Sequence, residues 1–165
     1  MMLFKIVGSV FLLLAGGYVS VSVRRFERCR LRVLDGYVSL LYFIKGQIDC
    51  YAMPLQEIMA RADPRMVADC LGLEPWGEEL RGGVTLPAML SESRLYLEPE
   101  CERLLMTFTG ELGSVFRAEQ VTRCDFYIQA LTEERRKLCE AIPARMRTVS
   151  TLCLCCALGA AVLLW

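Results

Sequence analysis

The chain has 165 residues, of which 55% are hydrophobic, and its 19 acidic and 19 basic residues give a formal net charge of zero. This length predicts a single domain. The balanced charge argues against non-specific nucleic-acid binding, because neither sign dominates. The chain has no histidine, so it lacks the commonest general base and the commonest metal ligand.

An apolar stretch occupies residues 3–23, and Lys5 is its one charged residue. Since about 20 mostly apolar residues are needed to cross roughly 30 Å of hydrocarbon, the stretch predicts a membrane span. Gly16 and Ser20 are spaced four apart, which permits close approach of another helix. A cleaved signal peptide is the alternative, with small residues at 15–17. However, the apolar stretch runs on past them, and an arginine cluster follows.

A second apolar stretch, residues 149–165, carries no charge and lies near the lower length limit for a span. Basic residues follow the first stretch and precede the second, and Lys and Arg in such flanks favour the cytoplasmic side. We therefore predict an N-terminal transmembrane helix in residues 1–23, a cytoplasmic helical-bundle domain in residues 24–148 and a C-terminal transmembrane helix in residues 149–165. The residues expected at the membrane surface are Arg24, Arg25, Arg28, Arg30, Arg32, Arg145 and Arg147.

Six of the nine cysteines lie in the middle of the chain and show no spacing that is typical of a metal site: Cys29, Cys50, Cys70, Cys101, Cys124 and Cys139. Those in the middle of the chain include no C-x-x-C pair, so we predict neither a metal nor a cofactor. Scattered cysteines on helical patterns are typical of small buried hydrophobic residues in a reducing compartment. No P-loop, Rossmann glycine pattern or nucleophile elbow occurs, and no catalytic residue is predicted. The alternative is a cysteine-dependent redox protein, which requires an exposed thiol of low pKa.

The middle of the chain shows helical periodicity throughout and no strand alternation, so the predicted fold class is all-α. Residues 24–51 form one long predicted helix, with Leu34, Leu41 and Ile48 on its apolar stripe. Residues 72–83 are predicted to be a loop. The last helix is predicted to end near Ile142, and Pro143 is predicted to kink or break the chain there. Further helices are predicted to begin at Pro54, Asp63-Pro64, Leu86-Pro87, Glu98-Pro99 and about Phe116.

Several short segments follow one another in a distinctive order. They are residues 28–34 (RCRLRVL), Ile48, residues 54–58 (PLQEI), residues 111–113 (ELG) and Gln120. Together with an apolar segment at each end, their order and spacing resemble the stage III sporulation protein AB family of endospore-forming bacteria, over nearly the whole chain. One departure is at Phe116, where the family usually has Asp three residues after the Leu-Gly pair.

This resemblance implies a non-enzymatic platform subunit of the apparatus that links mother cell and forespore, similar to the platform proteins of type II secretion. It implies a location in the mother-cell membrane around the forespore. The implied partners are a secretion-type ATPase, other stage III membrane proteins and membrane lipid, with no nucleic acid or small-molecule substrate. A generic two-span scaffold is a further alternative. The candidate partner-binding residues are Pro54, Leu55, Glu57, Glu111, Gly113 and Gln120.

For the acidic candidates, other roles stay open. The roles considered are contact with a partner, an ion pair inside the bundle, a solvated position on a helix surface and a capping role, for Glu57, Glu111 and the nearby Glu119.

Overall fold

A computed structural model describes residues 2–51, 53–73, 85–113 and 116–164, and all regular secondary structure in these ranges is helical. The predicted all-α class is therefore confirmed. In chain order the elements are α1 (Met2–Tyr51), α2 (Leu55–Ala60), α3 (Pro64–Leu71), α4 (Leu86–Ser93), a 3₁₀ turn (Arg94–Tyr96), α5 (Pro99–Glu111) and α6 (Arg117–Leu164).

The chain divides into two compact units, each described by itself. Unit 1 combines Met1–Arg28 with Leu138–Trp165, and unit 2 comprises Cys29–Lys137. The domain boundaries predicted after residues 23 and 148 stay a prediction.

The predicted starts of the short helices are confirmed, and each has a local cause. Pro54 is extended, with ψ 146°, and directly precedes α2. Asp63 caps α3 by accepting a hydrogen bond of 2.9 Å from the Arg65 backbone N–H, which satisfies one of the free donors in the first turn. After α5, Gly113 has a φ of 82°, a left-handed conformation that glycine adopts without steric cost. Of the predicted loop 72–83, residues 74–83 lie outside the described residues.

In unit 2, α1 forms the centre of the core. Its side chains are buried on several sides, which explains a stripe wider than that of a surface helix. Helix α3 approaches α1 closely at Gly36, because a Cβ added there would lie 2.7 Å from the Cys70 backbone nitrogen. The buried hydrophobic residues of α1 are Val33, Leu34, Tyr37, Leu40, Leu41, Ile44 and Ile48. Burying each such side chain contributes about 1.5–3 kcal/mol.

Two polar links tie α1 to the α4–α5 region. The Tyr37 hydroxyl lies 2.7 Å from Ser93 Oγ, and both residues are fully buried. Arg30 is also buried, and its guanidinium donates to Glu98 Oε1 at 2.5 Å and to the Tyr96 carbonyl at 3.3 Å. These bonds satisfy polar groups that would be costly to bury alone.

In unit 1, α1 and α6 run antiparallel and approach closely. A Cβ added to Gly16 would lie 3.8 Å from the Cys153 carbonyl oxygen, an ordinary van der Waals contact. Arg145 Nη1 lies 3.8 Å from Glu27 Oε1. The direction follows because Gly16 precedes Glu27 on α1, whereas Cys153 follows Arg145 on α6.

Within the described residues, no helix combines the length and the apolar character needed to cross a membrane. Helix α6 continues through Pro143, so the break that was predicted there does not occur. Proline removes one backbone hydrogen bond and clashes with the preceding turn, at about 3 kcal/mol or more. In a helix of 48 residues this cost falls on a single turn.

Candidate partner-binding site

A half-open groove of about 160 Å³ lies in unit 2, between the last turn of α1, helix α2 and the turn that joins α5 to α6. Its lining is mostly apolar. Ile48 and Ile58 are buried, with 5% and 0% exposure, whereas Leu55 and Leu112 are half-buried. The lining residues are Ile48, Met53, Pro54, Leu55, Ile58, Leu112, Gly113, Arg117 and Gln120.

Local backbone geometry brings these segments together. The extended Pro54 separates α1 from α2, and α2 then buries Ile58. At the other side, Leu112 is extended, with ψ 124°, and Gly113 turns the chain with its positive φ. The Gln120 backbone N–H then donates a hydrogen bond of 2.9 Å to the Phe116 carbonyl oxygen in the first turn of α6.

Most of the candidate partner-binding residues converge here. Pro54, Leu55, Gly113 and Gln120 all line the groove. Glu57 does not line it. Its exposed carboxylate lies 2.8 Å from Arg61 Nη2, one turn further along the chain.

Glu111 borders a smaller adjoining cavity of about 10 Å³, together with Gln120, Arg123 and Tyr127. The Tyr127 hydroxyl donates to Glu111 Oε2 at 3.0 Å, and burial raises the pKa of Tyr127. Arg123 bridges two carboxylates, at 3.1 Å from Glu111 and 2.7 Å from Glu119. Hydrogen bonding to Glu119 raises the pKa of Arg123. Glu111 therefore forms an ion pair between α5 and α6, which was one of the roles left open. Glu119 is exposed and pairs with Arg123 one turn along its own helix.

Five lining residues were not among the predicted partner-binding residues, and two of these, Met53 and Arg117, also lie outside the segments of the family resemblance. Met53 precedes the Pro-Leu segment, and Arg117 opens α6. The available signal in the sequence was that Arg117 follows Phe116, because arginine and aromatic residues are enriched at protein interfaces. Arg117 Nη2 lies 3.7 Å from Asp49 Oδ1, and both side chains are more than half exposed.

The basic residues predicted at the membrane surface do not share one environment. Arg24, Arg25, Arg28, Arg145 and Arg147 are exposed, and Arg32 is half-buried. Arg30 differs from the others, because its side chain is 10% exposed and bonded to Glu98. Its charge is therefore used inside unit 2 and does not face lipid.

The cysteines in the middle of the chain differ in burial, and Cys29 is half-buried. Cys70, Cys101 and Cys124 are buried, as predicted, whereas Cys50 and Cys139 are exposed, so for these two the prediction is wrong. Desolvation raises the pKa of all three buried thiols, for Cys101 to about 11. A deprotonated nucleophile is thus disfavoured at these three positions. Across the described ranges, no cluster of three or more acidic or thiol side chains is placed to hold a metal ion.

The groove is formed largely by the segments that carry the family resemblance: Ile48 from α1, Pro54, Leu55 and Ile58 from PLQEI, Leu112 and Gly113 from ELG, and Gln120. The family model for stage III sporulation protein AB matches residues 5–165. No similar protein was found among curated proteins, and no similar fold among solved structures. Since the family match covers nearly the whole chain, this protein belongs to the stage III sporulation protein AB family.

Proposed function

We propose that this stage III sporulation protein is a non-enzymatic platform subunit of the mother cell–forespore apparatus. In this role it couples a cytoplasmic secretion-type ATPase to other stage III membrane proteins. Membership of the family supports a function in stage III of sporulation. The platform role and the ATPase partner are our proposal.

The convergence of distant segments on one groove is the observation that carries the proposal. Ile48 and Leu55 are far from Gln120 in sequence, yet all three line the same half-open space. A partially exposed apolar concavity is typical of a protein-docking surface, because apolar anchors supply much of the energy of association. The described residues of unit 2 provide such a surface.

Sporulation itself provides the first test, with two glutamines of α6. Gln120 lines the groove, whereas Gln129 is exposed on the same helix and does not line it. We expect Gln120→Trp, which fills the groove, to lower the count of heat-resistant spores strongly. The control Gln129→Trp should leave the count unchanged. Equal counts for the two variants, at equal protein levels, would exclude a function for the groove.

The ATPase partner needs a direct measurement. The full-length chain, purified in detergent, is mixed with the stage III ATPase of the same organism, and complex formation is followed by size-exclusion chromatography. We expect a complex with the wild-type chain and with Gln129→Trp, and loss of the complex with Gln120→Trp. If two folded proteins form no complex, the coupling part of the proposal is wrong.

Membrane attachment is part of the proposal and is supported by the two apolar end stretches of the sequence. Cys50 is exposed in unit 2, in the part of the chain predicted to be cytoplasmic. An impermeant maleimide should therefore label Cys50 only after the cells are permeabilised, with Cys50→Ser as the control. The protein should also stay with the membrane in carbonate extraction. Labelling in intact cells would place this part outside.

A further inference from the structure

The volume of the groove limits what it can hold. A water molecule takes up about 30 Å³ of liquid, so 160 Å³ corresponds to several waters. Pockets for cofactors and drug-sized ligands are about 300–1,000 Å³. The groove is therefore too small for such a ligand, and its size suits one large side chain from another polypeptide.

The chemistry of the lining favours an apolar side chain in that position. Ile58 and Ile48 are buried, while Leu55 and Met53 are half-buried and keep apolar surface accessible. The aromatic ring of Phe116, next to the lining residue Arg117, is 88% exposed. Covering these groups releases water from apolar surface, which favours a complex.

The charges around the groove indicate what accompanies that side chain. Glu57 is bonded to Arg61, and Glu111 to Arg123 and Tyr127, so these carboxylates already have partners. Arg117 is the one charged lining residue, among those that the structure describes. Its ion pair with Asp49, at 3.7 Å between half-exposed groups, is beyond hydrogen-bonding distance and contributes little.

We infer that the groove binds a segment of a partner polypeptide in which a large apolar side chain, seated between α2 and the α5–α6 turn, lies next to a carboxylate that bonds to Arg117. An arginine and a carboxylate form short, charge-assisted hydrogen bonds, so a partner carboxylate displaces Asp49. This inference rests on the proposed function of the groove as a docking surface. It adds that the partner contributes the carboxylate of the ion pair and that this chain contributes the guanidinium of Arg117.

The test starts with random twelve-residue peptides displayed on phage, selected against the full-length chain in nanodiscs. We expect the selected peptides to carry Leu, Ile, Phe or Met beside Asp or Glu. Binding of a synthetic peptide from this set is then measured by fluorescence anisotropy. Arg117→Glu should weaken binding about tenfold, because it removes the charge-assisted hydrogen bonds and places two carboxylates together. Leu55→Arg should weaken it at least 30-fold.

Matched controls lie elsewhere in unit 2. Leu95 is 80% exposed in the 3₁₀ turn, and Arg103 is exposed on α5; neither lines the groove. Leu95→Arg and Arg103→Glu should change binding by less than twofold. A peptide whose acid is replaced by Lys should bind Arg117→Glu better than wild type. The inference would be overturned if the selected peptides carried no acid or if no peptide were selected. It would also be overturned if both groove variants bound the peptide as tightly as the wild-type chain.

The same variants separate this inference from the proposed function. If the stage III ATPase binds wild type and Leu55→Arg equally, the docking mode is wrong while the platform role stands. If the peptides behave as expected but the ATPase does not bind, the docking mode stands and the groove serves another partner.

Discussion

Lys45 of α1 and Asp125 of α6 face each other across unit 2, with Lys45 Nζ 2.6 Å from Asp125 Oδ1. Asp35 also pairs with Arg135, and Asp49 with Arg117. The three paired residues therefore alternate in sign along α1, and their partners alternate in the opposite sense along α6. The three pairs match in one antiparallel register, much as flanking charges set register in coiled coils.

Reversing one charge of the central pair should lower stability, and reversing both should restore it. Lys45→Asp and Asp125→Lys each place like charges together, whereas the double variant re-forms the pair. Urea unfolding of the full chain in detergent measures the four midpoints of this cycle. Additive single effects, with no recovery in the double variant, would show that the pair does not couple the helices.

This pair also predicts a pH dependence. The hydrogen bond to Asp125 raises the pKa of Lys45. A raised lysine pKa means that the stabilising contribution is complete below the unfolded value of about 10.4 and is lost as pH rises through the folded value. The coupling between the two residues should therefore be constant from pH 7 to 9 and fall above about pH 10.4. A coupling that disappears near neutral pH would contradict this assignment.

Alanine at two glycines of α1 should have opposite effects. A Cβ on Gly36 would lie 2.7 Å from the Cys70 backbone nitrogen and 2.9 Å from the Asp69 carbonyl carbon, so Gly36→Ala should destabilise by about 1–3 kcal/mol. Gly46 has nothing within 4 Å of such a Cβ. Gly46→Ala should therefore stabilise by about 0.5–1 kcal/mol through helix propensity. Chemical unfolding measures both, and the same sign for the two variants would contradict the packing of α3 on α1.

The buried link between Tyr37 and Ser93 should respond asymmetrically to truncation. Ser93 Oγ donates to the Met89 carbonyl at 2.9 Å, so its single proton is used and Tyr37 is the donor of the 2.7 Å bond. Ser93→Ala leaves a buried hydroxyl without an acceptor and should cost about 1–3 kcal/mol. Tyr37→Phe leaves the Ser93 proton bonded and should cost less, about 0.5–1.5 kcal/mol. The reverse order in urea unfolding would show that the donor assignment is wrong.

Aspartate at position 116 should stabilise the start of α6. Phe116 immediately precedes this helix and is 88% exposed, so it supplies no side-chain cap and buries little surface. An Asp there accepts from backbone N–H groups of the first turn, which contributes about 0.5–2 kcal/mol. Phe116→Ala, which removes the ring without adding a cap, is the control. If Phe116→Asp unfolds no later than Phe116→Ala in urea, this turn lacks free donors.

Thiol labelling distinguishes the platform role from a redox role. At pH 7 we expect iodoacetamide to modify Cys50 and Cys139 at rates close to that of free cysteine. The buried Cys70, Cys101 and Cys124 should react far more slowly, because burial both blocks them and raises their pKa. Mass spectrometry of each modified peptide gives the rates. A thiol that reacts much faster than free cysteine would favour the redox alternative.

Much of the fold was accessible from local signals. Pro54, Asp63 and Pro99 mark helix starts because they act on the backbone within one turn, whatever surrounds them. The predicted helix break at Pro143 was wrong because a proline also acts only on its own turn. The continuity of a 48-residue helix depends in addition on the turns on both sides.

For the candidate site, the sequence indicated which segments matter but not how they meet. Pro54, Leu55, Gly113 and Gln120 were singled out through the family resemblance, and they line one groove. Glu57 and Glu111 were grouped with them, yet their carboxylates are bonded to Arg61 and Arg123. The Glu57–Arg61 pair has the i, i+4 spacing that the sequence itself contains. Glu111 instead meets Arg123 of another helix, and periodicity does not contain distances between helices.

By itself, then, the sequence determined the helical class, most helix ends and the family, because propensity, capping and segment order are properties of the chain. The tertiary structure alone decided that Arg30 is buried against Glu98, that Gly36 admits the backbone of α3, and that Arg117 stands at the groove with only a weak ion pair. These outcomes depend on side chains that approach from distant parts of the chain, and their energies depend on how far each group is removed from water.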